Sequence, residues 1–224
     1  MRLSRVQENY DRAARSYDRW NHAFFDRLLG LERQRVVTIE RLGDLHGKRV
    51  LDIGCGTGLN LPHLVDRVGA TGEIIGVDYS GGMLAQARQR VAQSGWENVR
   101  LVQGDAVLDG IEGPFDAVLS TWAMGIVHDL PAALRRVIAL LAPGGRIAIL
   151  DFDRTIPDHW LRRLLLPLTH RVLLSAGFDD PEDLDDARLQ QRWAEGKALL
   201  REGLEDLEEE RYFQTGILLS GRKP

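Results

Sequence analysis

Residues 50–60 read VLDIGCGTGLN, and the reading of this stretch decides the fold. An apolar run ends in Asp52, and Gly54, Gly56 and Gly58 follow almost at once. Glycine is poor material for the interior of a strand or a helix. Three of them so close together predict a tight turn, or a backbone that something approaches closely. A helical pattern over 59–68 comes next, so the stretch reads as a strand that turns directly into a helix.

The same alternation repeats outward from it. RVLDIG (49–54), EIIGVD (73–78), NVRLVQGD (98–105), FDAVLST (115–121) and GRIAILDF (145–152) are short runs rich in Val, Ile and Leu. Runs without polar alternation predict strands buried on both faces, as in a parallel sheet. Helical patterns lie between them at 59–68, 81–94 and 131–142. Ser80 is placed to cap the second of these, and APGG (142–145) to end the third. Strands alternating with helices predict an open, doubly wound α/β sheet. Such a sheet binds ligands beyond the carboxyl ends of its strands, where helix N-termini offer free N–H groups.

The two ends of the chain differ from this pattern. Residues 4–42 read as helix, with Tyr10, Ala14, Tyr17, Phe24 and Leu28 on one face, arginines on the other and a break at Gly30. HWLRRLLLPLTHRVLLSAGF (159–178) is apolar and helical, interrupted by Pro167 and interspersed with Arg162, Arg163 and Arg171. It reads either as a lid over a greasy ligand, able to touch a membrane surface transiently, or as a core helix with snorkelling arginines. The acidic run 202–210 reads as a solvated helix face. RYFQTGILLSGRK (211–223) reads as a last strand, half of a hairpin. The expected organisation is an N-terminal helical cap over 1–42 and one domain over 43–224, with a helical insertion or lid at 159–204.

Composition narrows the partners. A net charge of −4 argues against a general nucleic-acid binder. Cys55 is the only cysteine, so no intrachain disulfide is possible, and it reads as a small packing residue in the turn. The first twenty residues are charged throughout and lack the apolar core of a signal peptide. No apolar run reaches the roughly 18 residues of a membrane span. The expectation is a cytoplasmic protein without a metal, at most peripheral to the inner face of a membrane.

Four features point to a nucleotide-like ligand. The turn reads Gly-x-Gly-x-Gly, and Leu59 stands where a dinucleotide site would place its third glycine. Asp78 ends the second apolar run, where a carboxylate can accept both hydroxyls of a ribose or cap the next helix. Gly104-Asp105-Ala106 end the third run, where an Asp side chain and the next N–H can read an adenine edge or form a simple turn. LAPGGRIAIL (141–150) is a helix end and glycine turn feeding the fifth strand.

In this order, the run 50–58, then Gly76-Val77-Asp78-Tyr79-Ser80 with Met83, then 104–106, then Leu141–Gly145 resemble the class I S-adenosylmethionine-dependent methyltransferases over about 45–152. The resemblance implies a Rossmann-like seven-stranded sheet with an antiparallel last strand, and S-adenosyl-L-methionine lying across the strand tips. It implies that Asp52 and the turn Gly54, Cys55, Gly56 and Gly58 receive the methionine part. Asp78 would hold the ribose, and Tyr79 and Met83 would flank the adenine. Gly104, Asp105 and Ala106 would meet its edge, and Thr121 and Trp122 would line the sulfonium region. ENYDRAARSYDRWNHAFF (8–25) resembles the N-terminal helix of two groups, the ubiquinone/menaquinone C-methyltransferases and the bacterial phospholipid N-methyltransferases. That likeness brings Tyr17 and Tyr10 to the cofactor. The last strand is similar to the quinone group, and GTGLNLPHL to the phospholipid group. The segment STWAMGIVHDLP (120–131) lacks the Arg-Asn pair usual in the quinone group and carries His128 instead.

The resulting expectation is methyl transfer to a small lipophilic or amphipathic acceptor, a phospholipid head-group amine or a quinone-like ring. The alternatives are a hydrophilic acceptor, an NAD(P)-dependent oxidoreductase and a non-catalytic cofactor binder. An amine needs only its lone pair in line, whereas a phenolic or ring-carbon acceptor needs a base. His128 is the candidate, a solvated or capping histidine being the other reading.

Overall fold

The apolar run of the opening stretch is an interior strand of a seven-stranded sheet. The structure, a computed structural model, describes residues 30–106, 108–127, 129–153, 186–212 and 216–224. In chain order its elements are α1 (Leu31–Glu40), β1 (Arg49–Ile53), α2 (Leu61–Val68), β2 (Glu73–Asp78), α3 (Gly81–Ser94), β3 (Val99–Gln103) and β4 (Phe115–Thr121). A single 3₁₀ turn (Met124–Ile126) follows, then α4 (Leu130–Leu140), β5 (Leu141–Phe152), α5 (Asp186–Gly203), β6 (Glu205–Tyr212) and β7 (Gly216–Arg222). The strands lie in the order β3-β2-β1-β4-β5-β7-β6. β1 to β5 pair in parallel, and β7 runs antiparallel to both β5 and β6. The doubly wound sheet expected from the sequence is the one found.

Two apolar layers hold the sheet. On one face Ile39 of α1 and Leu42 of the turn after it join Leu61, Leu64 and Val68 of α2 against Val50, Ile74, Ala117, Leu119 and Ala148. On the other face Leu130, Leu134 and Val137 of α4 and Leu189, Trp193 and Leu200 of α5 cover Leu51, Ile53, Val118, Ile147 and Ile149. Because both faces are covered, the central strands carry no polar alternation, which is why they were legible.

The ends of the helices are set as the residues dictate. Gly30, left-handed at φ 59°, immediately precedes α1, and the helix expected before it lies outside the described residues. Ser80 Oγ accepts the Met83 N–H at 3.1 Å at the start of α3. α4 ends at Leu140, and Leu141 already pairs with Phe115. The next β4 partner is Ala117 with Arg146, so Ala142–Gly145 bulge out of the ladder.

The acidic run corrects the sequence reading. Residues 205–212 form an edge strand, not a helix face. Their glutamates hid the period of two, because both faces of an edge strand tolerate charge. Arg41 pairs with Glu208 and Glu210, Lys197 Nζ lies 2.6 Å from Glu209, and Arg222 lies 3.0 Å from Glu205. These cations come from α5, from β7 and from the residue after α1, so the negative strand is held by its neighbours.

Candidate active site

Sheet register delivers the site. Asp52 stands opposite Gly76 on β2 and Leu119 on β4. Asp78 and Thr121 lie two residues further along those strands, so period-two geometry puts all three side chains on one face, at the carboxyl edge. Leu119 pairs with Ala148, so Phe152 at the tip of β5 shares that face. The strand order reverses between β1 and β4, and an open sheet forms its ligand crevice at such a point.

The three glycines are not equivalent. All are left-handed, at φ 67°, 55° and 82°. A Cβ on Gly54 would fall 2.1 Å from the Ala123 Cβ, and one on Gly58 would fall 2.7 Å from Leu61 Cδ1. Those two permit close packing of the protein on itself. A Cβ on Gly56 would meet nothing within 4 Å, so only there does the turn face open space. The Cys55 side chain is buried and turned toward Gly76, whose Cβ would lie 3.0 Å from its Sγ. Burial, with Asp52 and Asp78 adding to it, holds its thiol well above the ordinary range, so it is an inert packing group.

Asp78 ties the turn to β2. Its Oδ2 accepts the Gly56 N–H and its Oδ1 the Ser80 N–H, each at 2.8 Å. The Gly104 N–H donates to the Asp78 carbonyl at 3.0 Å, which brings Gly104, Asp105 and Ala106 beside it. Tyr79 is half-buried and its carbonyl accepts from Gln103 at 3.2 Å. The Met83 side chain is buried.

Behind the turn lies a polar network that the sequence reading missed. Arg35, expected on an outward arginine face, is buried on the inner face of α1. Its Nη1 donates to Asn60 Oδ1 at 2.6 Å, and its guanidinium stacks 5.1 Å from the Trp122 ring centroid. Asn60 Nδ2 donates to Asp52 Oδ1 at 2.8 Å and to Thr121 Oγ1 at 3.2 Å. Glu32 continues the chain outward to Arg35 and, at 2.6 Å, to His63. The signal for Asn60 was its place just ahead of the first helical turn. Nothing in the sequence distinguishes Arg35 from Arg33.

Asp52 is fully buried, and its Oδ2 has no hydrogen-bond partner. Burial pushes its carboxyl up to about 7, against the pull of the Asn60 hydrogen bond and the Arg35 charge, with Asp78 pushing further up. Tyr10, Tyr17 and His128 lie outside the described residues. Among the described residues no group of His, Cys, Asp or Glu could hold a metal ion, and no helix is long and apolar enough to cross a membrane.

The family described as a methyltransferase domain matches residues 50–145, which span β1 to the start of β5. The demethylmenaquinone methyltransferase of Lactococcus lactis is 32% identical over 155 residues, 68% of this chain and 61% of that protein. The 2-phytyl-1,4-naphtoquinone methyltransferase of Thermosynechococcus vestitus is 31% identical over 185 residues, 79% of this chain and 80% of that protein. The chain belongs to the class I S-adenosylmethionine-dependent methyltransferases. The NAD(P) alternative is thereby set aside. The methyltransferase fold is matched along its length by the N-methyltransferase NodS of Bradyrhizobium japonicum, solved with S-adenosyl-L-homocysteine. There the TM-score is 0.67 at 17% identity, with 98% of each chain covered.

The residues present fit S-adenosylmethionine. The unpartnered Asp52 Oδ2 is an acceptor suited to an ammonium group, and Gly56 leaves room for a ligand against the backbone. The contrast between the glycines gives a test. Gly56→Ala is expected to cost only about 1–2 kcal/mol of stability, for the left-handed φ, yet to weaken the cofactor at least tenfold. Gly58→Ala adds a collision with Leu61 and is expected to cost about 2–4 kcal/mol. Urea unfolding and calorimetry read the two effects, and equal stability losses at both positions would contradict the assignment.

Proposed function

We propose that this methyltransferase methylates a small, lipophilic, hydroxylated ring of the quinone type. The observation that carries the proposal is the reach of the match to the phytylnaphthoquinone enzyme. Its 185 residues extend beyond the 50–145 stretch that any cofactor-binding core of this class would share. An aromatic mouth supports it. Phe152 is the large hydrophobic side chain left exposed among the described residues, at the tip of β5, and Trp122 stands at the tip of β4.

In this reading Asp52, the backbone of Gly54, Cys55, Gly56 and Gly58, and Arg35 receive the amino and carboxylate groups of the methionine part. Asp78 accepts the ribose hydroxyls, Tyr79 and Met83 lie beside the adenine, and Gly104, Asp105 and Ala106 meet its edge. Thr121 and Trp122 line the sulfonium region, and Tyr10 and Tyr17 close over it. Bound there, S-adenosylmethionine supplies a methyl group already activated for in-line displacement. The chain contributes alignment and exclusion of water, which can supply up to roughly 7–11 kcal/mol. His128 takes the hydroxyl proton of the ring.

The test is incubation with methyl-labelled S-adenosylmethionine in parallel with three probes. These are a reduced 2-prenyl-1,4-naphthoquinone, phosphatidylethanolamine vesicles and a water-soluble metabolite extract. Label in the ring is expected, and loss of about 10²–10⁴ in rate on His128→Ala at pH 7 supports the base. Label only in phosphatidylethanolamine favours head-group amine methylation near a membrane. Label only in water-soluble products defeats the lipophilic acceptor.

A further inference from the structure

Beyond the cofactor side, the segment after β4 is held by two charged groups from distant parts of the chain. Asp151, near the tip of β5, is buried on the face opposite Asp52 and Thr121. Its Oδ2 accepts the Gly125 N–H at 2.8 Å and its Oδ1 the Phe152 N–H at 2.7 Å. Arg192 of α5 donates to the Gly125 carbonyl at 3.1 Å and to the Val127 carbonyl. The backbone of Gly125 is therefore gripped from both sides, by an acid of β5 through its N–H and by a base of α5 through its C=O. A Cβ on Gly125 would lie 2.9 Å from Asp151 Oδ1, so the grip is also tight.

We propose that Asp151 and Arg192 are positioning residues that clamp the turn 123–127 to form the acceptor-side wall of the active site. Asp78, Asp52 and the open glycine sit at the tips of β2 and β1, whereas this turn sits beyond β4 and against β5. A ligand across the first two tips presents its reactive end toward that turn. Trp122 precedes the turn in sequence and His128 follows it, so its placement sets where both begin. A 3₁₀ turn of three residues has few hydrogen bonds of its own, and it needs outside partners to keep one geometry. Charge-assisted bonds to backbone groups are the strong kind, here formed where the groups are partly withdrawn from water. Burial raises the Asp151 carboxyl to about 6, against the donors from Gly125, Phe152 and Met124 and the Arg192 charge. At pH 8 it grips as an anion.

The inference rests on methyltransferase membership and not on the acceptor's identity. Amide hydrogen exchange, S-adenosylmethionine calorimetry and transfer to reduced 2-prenyl-1,4-naphthoquinone are measured at pH 8 on wild type, Asp151→Asn, Arg192→Ala and Arg192→Lys. Exchange at 124–127 is expected to rise about 10- to 100-fold in Asp151→Asn and Arg192→Ala, with β1 and β2 still protected. Cofactor affinity stays within about threefold, transfer falls at least about tenfold, and Arg192→Lys recovers part of both effects. Unchanged exchange at 124–127 in both variants overturns the clamp, as does a loss of cofactor affinity equal to the loss of transfer. If wild type does not methylate the naphthoquinone while exchange responds as expected, the acceptor proposal fails and the clamp stands.

Discussion

Asp78→Ala is expected to weaken S-adenosylmethionine binding by about two to four orders of magnitude, as read by titration calorimetry. Each Asp78 oxygen already accepts one backbone N–H, from Gly56 and from Ser80. In the proposed pose the ionised carboxylate also accepts the two ribose hydroxyls. Two charge-assisted hydrogen bonds at roughly 1.5–3 kcal/mol each amount to that loss. The substitution also frees the Gly56 N–H, so the turn loses the tether that holds its open glycine toward the ligand. Asp78 is only half-buried, so global stability should fall little, by about 1 kcal/mol. Asp78→Asn keeps one acceptor oxygen and is expected to bind with intermediate affinity. Binding within threefold of wild type in Asp78→Ala would show that the ribose is held elsewhere.

The dual role of Asp78 bears on what the sequence could tell. Its position at the end of an apolar run was legible, because a strand buried on both faces shows as an unbroken Val/Ile/Leu run and its last residue is a tip. The same logic placed Asp52 and Gly104–Ala106 at strand ends, whereas Thr121 entered only through the family resemblance. The helices between were legible from their caps, as at Ser80. Residues 205–212 were not, because their alternation is between Glu and Glu, or Glu and Leu207, and the pairing cations come from Arg41, Lys197 and Arg222 elsewhere in the chain. Arg35 was hidden for a related reason. A polar inner helix face carries no hydrophobic period, and only the placement of α1 against the strand tips shows which arginine is buried. Gly125 and Arg192 are 67 residues apart, and no local pattern connects them. The glycine turn was recognised as a unit, but its three members divide into two packing glycines and one open one only when Ala123 and Leu61 are in place.

Asp52→Asn is expected to make the protein more stable at pH 8 and poorer at binding its cofactor. The carboxyl stands at about 7 in the folded protein against an ordinary 3.8. A folded value raised above the unfolded one means that the native state holds the proton more tightly. The benefit of the neutral form is complete below about pH 4 and is lost as pH rises through about 7, and above that the buried anion costs on the order of 4 kcal/mol. An amide in its place is neutral at every pH, so the variant should gain about 2–4 kcal/mol over wild type at pH 8 and nothing near pH 4, read by urea unfolding at both. A buried carboxylate with one unpartnered oxygen is a cost that a core residue would not retain for packing alone. In the proposed pose the ammonium of the methionine part supplies the missing donor and the missing charge. Binding then draws the proton off Asp52, so affinity should rise from pH 5.5 to pH 7.5, and near pH 6 the heat of binding should vary with the ionisation heat of the buffer by up to about one proton per site. The amide cannot answer that charge, and the variant should bind at least about fiftyfold more weakly, with no buffer dependence from this group. A buffer-independent heat in wild type, together with unchanged affinity in Asp52→Asn, would remove Asp52 from the cofactor's contacts and leave its burial to be explained by Asn60 and Arg35 alone.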